Sequence, residues 1–175
     1  KALFTICSGF GYLCCRLCGG HRNWGNMLAL VLIVFNWYVL VYGFTVGFGK
    51  LEVRHVDLYF DDLPPAFDGY RIVHFTDAHV GTLETRDIGL LRRDIDSINA
   101  QHADLIAFTG DLQNIRPQEI QRAQGLLSTL SARDGVVSVL GNHDYSKYVH
   151  ETPQKEAANR AETIARERQC GWRLL

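Results

Sequence analysis

The chain has 175 residues, of which 47% are hydrophobic and 21% are charged, and its formal net charge is -1. This balance does not suggest nucleic acid as a partner, since the sequence has no cluster of lysine and arginine and no basic stripe with interleaved aromatic residues. The hydrophobic residues are unevenly distributed along the chain, which predicts two parts of different character.

The first part of the sequence has the composition of a membrane segment. No charged residue occurs between Arg22 and Lys50, and residues 23–49 contain the roughly 20 apolar residues that a helix needs to cross the hydrocarbon core of a bilayer. We therefore expect one transmembrane helix over 23–49, with a buried soluble helix as the alternative. Three glycines near its end predict close packing against another helix. These are Gly43, Gly47 and Gly49.

Residues 1–22 contain a shorter apolar run that cannot span a membrane alone. We expect it to be the end of an earlier membrane span followed by a loop, and we expect the chain to be a piece of a longer protein at both ends. A signal peptide is the less favoured alternative, because the long second segment would still remain. Lysine and arginine are evenly divided between the two sides of that segment, so the orientation stays open.

Four cysteines lie in this first part of the chain, close to His21. Their spacing lacks the paired C-x2-C pattern with distant partners that is typical of structural zinc sites. We interpret them as apolar packing residues, with juxtamembrane acylation as an alternative. The spacing predicts no disulfide framework. The four are Cys7, Cys14, Cys15 and Cys18.

After the membrane segment, residues 56–60 alternate between apolar and polar types, which predicts a half-exposed strand. Three short apolar runs follow over residues 72–79, 105–111 and 136–144, with apolar residues at helical spacing between them. This order predicts an α/β sheet of β-α-β-α-β type. Crossover connections are right-handed, so the strands are parallel and their carboxyl ends share one edge.

Ligands bind at that edge in open α/β sheets. The sequence places a polar group at the end of each apolar run, and we expect these side chains to face a common crevice. The six residues are Asp77, His79, Asp111, Asn142, His143 and Asp144. His74, inside the first run, is instead expected to be a packed and hydrogen-bonded core residue.

These residue types suit a divalent cation such as Mn, Fe, Zn or Mg, because carboxylate oxygens, imidazole nitrogens and an amide oxygen are all available. Asp77 and His79 are two positions apart, so that at a strand end both side chains face the same side. Gly110 and Gly141 stand directly before candidate ligands and permit a sharp turn and a close backbone approach. Asp111 follows the middle of the three strands and is the natural bridging carboxylate.

The motifs D-A-H at 77–79, G-D at 110–111 and G-N-H-D at 141–144 resemble the signature of the calcineurin-like metallophosphoesterases. The surrounding sequence resembles the membrane-tethered bacterial branch of that family. The resemblance covers residues 51–175 and implies the amino-terminal half of a catalytic domain. It implies hydrolysis of a phosphodiester, phosphomonoester or pyrophosphate bond, in a protein of the bacterial inner membrane.

The resemblance also implies a site for two divalent metal ions. Asp77 and His79 would bind the first ion, Asn142 would bind the second, and Asp111 would bridge both. Two ions can together activate a water and clamp an in-line phosphoryl displacement. The substrate would be a small phosphate ester or a lipid-linked one at the membrane surface, and the oligomeric state stays open.

His143 would contact the scissile phosphate and protonate or stabilise the leaving oxygen. Asp144 and Asn114 are expected to position neighbouring groups. Protein serine/threonine phosphatases of the family have the pattern G-D-x-x-D-R, where this chain has Asn114 and Ile115. This departure argues against a phosphoprotein substrate.

The family also needs histidines that lie beyond the last residue of this sequence, so we expect the chain on its own to bind metal weakly and to turn over little substrate. One alternative is a non-catalytic, membrane-anchored docking module that keeps the fold but lacks a complete metal site. A metal-dependent nuclease is a further alternative, which should show a basic or aromatic surface along a nucleic acid strand.

The end of the sequence predicts one more helix and a strand. Thr152 can cap the helix with Pro153 at its first position, and Gly171 is expected to end it. The expected buried side is a stripe of small apolar residues, and the expected exposed side carries two i,i+4 ion pairs, Glu156 with Arg160 and Glu162 with Arg166. The stripe consists of Ala157, Ala161, Ile164 and Ala165, and the strand is expected over 172–175.

Overall fold

The computed structural model describes residues 2–20, 23–86 and 88–175. The chain divides into two compact units, Lys1–Arg54 and His55–Leu175. His21, which lies beside the cysteines in the sequence, falls outside the described residues.

The first unit is a pair of helices, α1 (Ala2–Leu17) and α2 (Trp24–Tyr42), and α2 runs on into a π-helical turn, Gly43–Gly47. The helices pack closely at Gly11 and Gly25, where a Cβ atom on either glycine would overlap backbone atoms of the other helix. Asn23 accepts a hydrogen bond from the Gly25 N–H at the start of α2 and donates one to the Ser8 carbonyl at 2.9 Å. Small residues thus allow the two backbones to meet.

Within the described residues, no other helix packs against two of the glycines at the end of the apolar segment, so close packing there stays a prediction. A Cβ atom on Gly43 would meet open space, and one on Gly47 would contact only Tyr42 of the preceding turn. The segment Trp24–Gly47 is nevertheless the one helix among residues 2–20, 23–86 and 88–175 that is long and apolar enough to cross a membrane.

The cysteines of the first unit are only partly packing residues. Cys7 and Cys15 are half-buried, whereas Cys14 and Cys18 are exposed, and all four are free thiols. The Cys15 thiol donates to the Gly20 carbonyl at 2.9 Å. The interpretation as apolar packing is therefore wrong for the two exposed cysteines.

The second unit is a parallel sheet with helices, which confirms the predicted β-α-β-α-β order. The strands are β1 (Ile72–Phe75), β2 (Leu105–Phe108), β3 (Val136–Ser138) and β4 (Arg173–Leu174), in the spatial order β1-β2-β3-β4. The helices are α3 (Val80–Arg86), α4 (Ile88–Asn99), α5 (Ile120–Leu127) and α6 (Pro153–Gln169). Short 3₁₀ turns cover Pro65–Phe67, Pro117–Glu119 and Lys147–Val149.

The core lies between one face of the sheet and the crossover helices. Leu91 and Ile95 of α4 are buried in the same cluster as Ile106 and Phe108 of β2, as the helical spacing of the apolar residues predicts. The Phe108 ring packs against Trp172, just before β4, with ring centroids 5.3 Å apart. Burial of these large apolar side chains is the main force that joins the helices to the sheet.

The outer face of β1 is open in the described part of the chain. Ile72 is 57% exposed and His74 is exposed as well, so the predicted burial of His74 is wrong. Its hydrogen bond is present, since the His74 Nε2 atom lies 2.8 Å from Thr109 Oγ1. The strand predicted over 56–60 is also wrong, because these residues have no regular secondary structure and are exposed.

Helix α6 has the predicted cap and end. The Thr152 side chain accepts from the Lys155 N–H, and Gly171 adopts φ +85° beyond the last turn. The predicted buried stripe is wrong, because Ala157 and its companions are exposed or half-buried. The fully buried side chains of the helix are instead polar, Thr163 and Glu167.

Candidate metal centre

The loops after β1 and β2 are joined by backbone hydrogen bonds that extend the strand pairing. The N–H groups of Asp77, His79 and Val80 donate to the carbonyls of residues 110, 111 and 112, at 3.0, 3.1 and 2.9 Å. The D-A-H segment therefore lies alongside the G-D segment in a fixed register. This arrangement follows from the parallel pairing of the strands that precede the loops.

The loop after β3 is held by the Asp144 carboxylate, which is completely buried. This carboxylate accepts four backbone N–H groups, from Asp111 at 2.7 Å, Leu112 at 3.0 Å, Gln113 at 3.3 Å and Gly141 at 2.9 Å. Burial raises the pKa of Asp144 above its usual range, and the four N–H donors oppose that rise. Asp144 thus ties the third loop to the second.

Three of the candidate ligands have a backbone conformation that L-residues rarely adopt. Asp77, His79 and Asp111 have φ values of +54°, +39° and +63°. Such strain persists only where the surrounding structure enforces it, and it is concentrated at functional sites in proteins. Gly110 and Gly141 also meet here, since a Cβ atom on Gly141 would overlap the Asp111 carboxylate and one on Gly110 would overlap the backbone of Gly141.

The loops bring His79, Asp111 and His143 together, and one ligand atom of each lies within 4.8 Å of the others. The Asp111 carboxylate also accepts the His143 backbone N–H at 2.8 Å. Asp77 joins this group through His79, with 3.8 Å between its Oδ1 atom and the His79 Nε2 atom. A carboxylate and two imidazoles at these distances suit a divalent cation.

Two consecutive backbone carbonyls orient the two imidazole rings. The His79 Nδ1 atom lies 3.2 Å from the Gln113 carbonyl oxygen, and the His143 Nδ1 atom lies 2.6 Å from that of Asn114. A carbonyl oxygen can only accept, so each Nδ1 carries its proton. The Nε2 atom of each ring is therefore left for a metal ion or a substrate.

Asn114 and Glu119 fix the segment that supplies these carbonyls. The Asn114 amide donates to the Thr82 hydroxyl at 2.6 Å and accepts the Thr82 backbone N–H at 3.1 Å. The Glu119 carboxylate accepts the consecutive backbone N–H groups of residues 114, 115 and 116. The turn after β2 is thus held from both sides, and the two carbonyls keep their direction.

Gln113 connects the centre to helix α6 through a buried side chain. Its Nε2 atom donates to the His143 carbonyl at 3.1 Å and to the Ser146 hydroxyl at 3.0 Å. Its Oε1 atom accepts from the Thr163 hydroxyl at 2.9 Å. The polar side of α6 is therefore buried because it satisfies a polar side chain behind the centre.

Glu167, one turn further along α6, is also completely buried. Its Oε2 atom accepts from the Ser138 hydroxyl at 2.6 Å, while its Oε1 atom has no hydrogen-bond partner among the residues that the structure describes. Burial raises the pKa of Glu167 from 4.5 to about 7. Near neutral pH this carboxyl is thus poised between its neutral and charged forms.

The Asn142 side chain is exposed at the edge of the third loop. Its Nδ2 atom donates to the Tyr148 hydroxyl at 2.8 Å. The neighbouring backbone bond from His143 to Asp111 keeps the residue next to the centre.

Sequence reasoning missed several residues that build this centre. Glu119 had a usable signal, because it follows Arg116 by three residues with Pro117 between them, which is typical of a helix start. Gln113, Ser146 and Tyr148 carry no sequence pattern that separates them from ordinary surface residues.

Comparison with known proteins identifies the family. Residues 70–171 match the calcineurin-like phosphoesterase family, and this match covers more than half of the chain. The chain belongs to the calcineurin-like phosphoesterase family. Its three motif loops, which lie within the matched range, form the candidate metal centre described above.

Three curated relatives of this phosphoesterase are similar to parts of the chain. An uncharacterised metallophosphoesterase of Bacillus subtilis, YkuE, is 39% identical over 89 residues, which is 49% of the chain. A transmembrane protein with metallophosphoesterase domain of Danio rerio is 28% identical over 120 residues, or 69% of the chain. The UDP-2,3-diacylglucosamine pyrophosphatase LpxG of Chlamydia muridarum is 29% identical over 82 residues, or 46% of the chain.

The chain spans only 30%, 26% and 24% of the lengths of these three relatives. No solved structure matches the chain.

Proposed function

We propose that this chain supplies part of the active site of a metal-dependent phosphoesterase, which hydrolyses a phosphodiester, phosphomonoester or pyrophosphate bond. The observation that carries the proposal is the convergence of His79, Asp111 and His143 within 4.8 Å. These residues come from three separate loops, so their proximity depends on the whole sheet. A carboxylate with a purely structural role would not need two imidazoles beside it. Here the Nε2 atoms of both imidazoles are available to bind a metal ion or a substrate.

The donor set fits two divalent ions such as Mn, Fe, Zn or Mg. Asp77 and His79 would hold the first ion, Asn142 would hold the second, and Asp111 would bridge them. When bound, such ions make a water more acidic and offset the charge of the phosphoryl group. Each of the four residues lies on a loop that backbone hydrogen bonds hold in place, which reduces the reorganisation needed for binding.

His143 is proposed to act as the proton donor to the leaving oxygen. Its Nδ1–H is occupied by the Asn114 carbonyl at 2.6 Å, so the ring can act on a substrate only through Nε2, which donates a proton when the ring is in its doubly protonated form. General acid catalysis by a positioned imidazole typically contributes on the order of 100 to 10,000-fold to the rate. The His79 ring stands edge-on to His143 at 4.7 Å and limits its rotation.

We further propose that the substrate is associated with a membrane, which in this proposal is the bacterial inner membrane. Helix α2 with its extension is long and apolar enough to cross a bilayer. One relative is named a transmembrane protein, and another is named a pyrophosphatase of UDP-2,3-diacylglucosamine, a diacylated sugar nucleotide. These names support a phosphate ester at the lipid surface as the substrate class.

The test uses the complete gene product that contains this chain. After removal of metal with a chelator, Mn²⁺ is titrated against bis-p-nitrophenyl phosphate and p-nitrophenyl phosphate. We expect turnover that depends on Mn²⁺ and is lost in Asp111→Asn. Asp134→Asn is the matched control, because Asp134 is an exposed carboxylate before β3, and this variant should keep its activity. Turnover that is unchanged in Asp111→Asn would contradict the proposal, and absence of any turnover or Mn²⁺ binding would favour a docking module.

A further inference from the structure

Tyr148 is the one side chain in the described residues for which the structure records contacts to the side chains of both Asn142 and His143. Its hydroxyl accepts from Asn142 Nδ2 at 2.8 Å, and its ring stacks on the His143 imidazole with centroids 4.5 Å apart and planes 29° apart. Half of the tyrosine remains exposed, at 51%. Tyr148 thus makes two different contacts, a hydrogen bond and a ring stack, with two neighbouring residues of one motif. Chance packing of a surface tyrosine would not require both.

The turn that carries Tyr148 is anchored to the buried network behind the centre. It occupies Lys147–Val149 and is preceded by Ser146, which is completely buried and has φ +55°. The Ser146 hydroxyl accepts from Gln113, and its N–H donates to the His143 carbonyl at 2.9 Å. The tyrosine is therefore held in place by the same groups that hold His143.

The hydrogen bond to Tyr148 fixes which end of the Asn142 amide meets the phenol. An amide has a carbonyl oxygen at one end and an NH₂ group at the other, and only the oxygen can bind a cation. Because the NH₂ group is occupied by the phenol, the oxygen points elsewhere. Without the hydroxyl, the amide could rotate and present its NH₂ group to the ion.

We infer that Tyr148 is a positioning residue that aims the Asn142 carbonyl oxygen at the second metal ion. This inference rests on the proposed function, because it assumes that Asn142 is a metal ligand. Groups that orient a ligand by hydrogen bonding typically change metal affinity by 10 to 100-fold when they are removed.

The experiment counts and titrates Mn²⁺ sites in the complete gene product by electron paramagnetic resonance of free Mn²⁺. In Tyr148→Phe, which removes only the hydroxyl, we expect one Mn²⁺ site to lose about tenfold in affinity while the other site is unchanged. We expect kcat to fall while KM for bis-p-nitrophenyl phosphate stays within about twofold. Tyr145→Phe is the matched control on the same loop, because the Tyr145 ring contacts Lys147 and Arg160 instead.

A second background separates positioning from simple support of the loop. Asn142→Asp gives a ligand with two equivalent oxygens, which needs no choice between its ends. Tyr148→Phe should therefore weaken Mn²⁺ binding about tenfold with Asn142 and have no further effect in Asn142→Asp. An equal loss in both backgrounds, no loss in either, or unfolding of Tyr148→Phe would each overturn the inference. Failure of the wild-type protein to bind Mn²⁺ would instead overturn the proposed function.

Discussion

The two ends of the parallel sheet both collect charged and polar residues, but the structure treats them in opposite ways. At the amino end, the Tyr70 hydroxyl donates to Asp134 at 2.7 Å, and Arg133 pairs with Asp104 at 2.9 Å. All of this lies at the exposed surface or close to it. At the carboxyl end, Asp144 is completely buried and accepts four backbone N–H groups.

The difference lies in what holds the charges. At the amino end, the charged groups are paired with other exposed side chains. Solvent screens each pair, so little free energy of folding depends on any one contact. The backbone holds the Asp144 carboxylate at the carboxyl end, where each N–H would otherwise be buried without a partner. An aspartate therefore contributes much to the stability of the fold at the carboxyl end of the sheet and little at the amino end.

The largest expected effect is that of Asp144→Ala. It would leave several buried N–H groups unsatisfied, and we expect the free energy of unfolding to fall by about 3 kcal/mol or more. Urea denaturation can be followed by Trp172 fluorescence in a chain in which Trp24 and Trp37 are replaced by Phe. A loss below about 1 kcal/mol would show that the carboxylate does not hold the loops together.

The second prediction concerns Glu167, whose titration should make the free energy of unfolding depend on pH. Because its pKa is raised to about 7, the folded state binds this proton more tightly than the unfolded state. The stabilisation is complete below pH 4.5 and is lost as the pH rises through 7, by up to about 3 kcal/mol. In Glu167→Gln, the same urea series from pH 4.5 to 8 should give a flatter slope than in the wild-type chain, and an equal slope would contradict the assignment.

A smaller effect is expected where two loops meet. Gly141→Ala would push a methyl group into the Asp111 carboxylate, and we expect it to destabilise the fold by about 1 to 3 kcal/mol. Gly125→Ala is the matched control. Gly125 lies on helix α5, and a Cβ atom at this position would have open space around it. That variant should be stabilised by roughly 0.5 to 1 kcal/mol. Equal effects of the two variants in thermal unfolding would remove the close approach as a constraint.

The smallest effect is expected at the amino end. Hydrogen bonds from Arg133 and Tyr70 hold the pKa of Asp134 below its usual range, but the group is exposed and water replaces its partners. Asp134→Ala should therefore leave the urea midpoint within the error of the measurement. A shift as large as that of Asp144→Ala would abolish the contrast between the two ends of the sheet.

Much of the fold follows from the sequence by simple physical rules. The apolar runs that became β1, β2 and β3 and the helical spacing that became α4 predict parallel strands, and the handedness of their connections brings three loops to one edge. That rule places the loops of His79, Asp111 and His143 side by side.

The remainder depends on contacts that leave no sequence pattern. The carbonyls that orient His79 and His143 belong to Gln113 and Asn114, and every residue type has a carbonyl. The buried side of α6 is Thr163 and Glu167, because polar partners on Gln113 and Ser138 lie opposite them. The predicted stripe of three alanines and Ile164 is more apolar, but its side chains cannot hydrogen-bond to these partners. The exposure of His74 likewise depends on what covers β1, which local sequence does not encode.

The orientation of the two imidazoles by neighbouring peptide units has a consequence for mutation. A main-chain oxygen cannot be deleted by exchanging a side chain, so no substitution at position 113 or 114 removes either acceptor outright. The two rings can lose their alignment only if the turn itself moves. The Glu119 carboxylate accepts three successive N–H groups of that turn, so a substitution of Glu119 is the most direct way to let it move. A single substitution that changes the orientation of both imidazole rings would therefore be at a residue that contacts neither ring.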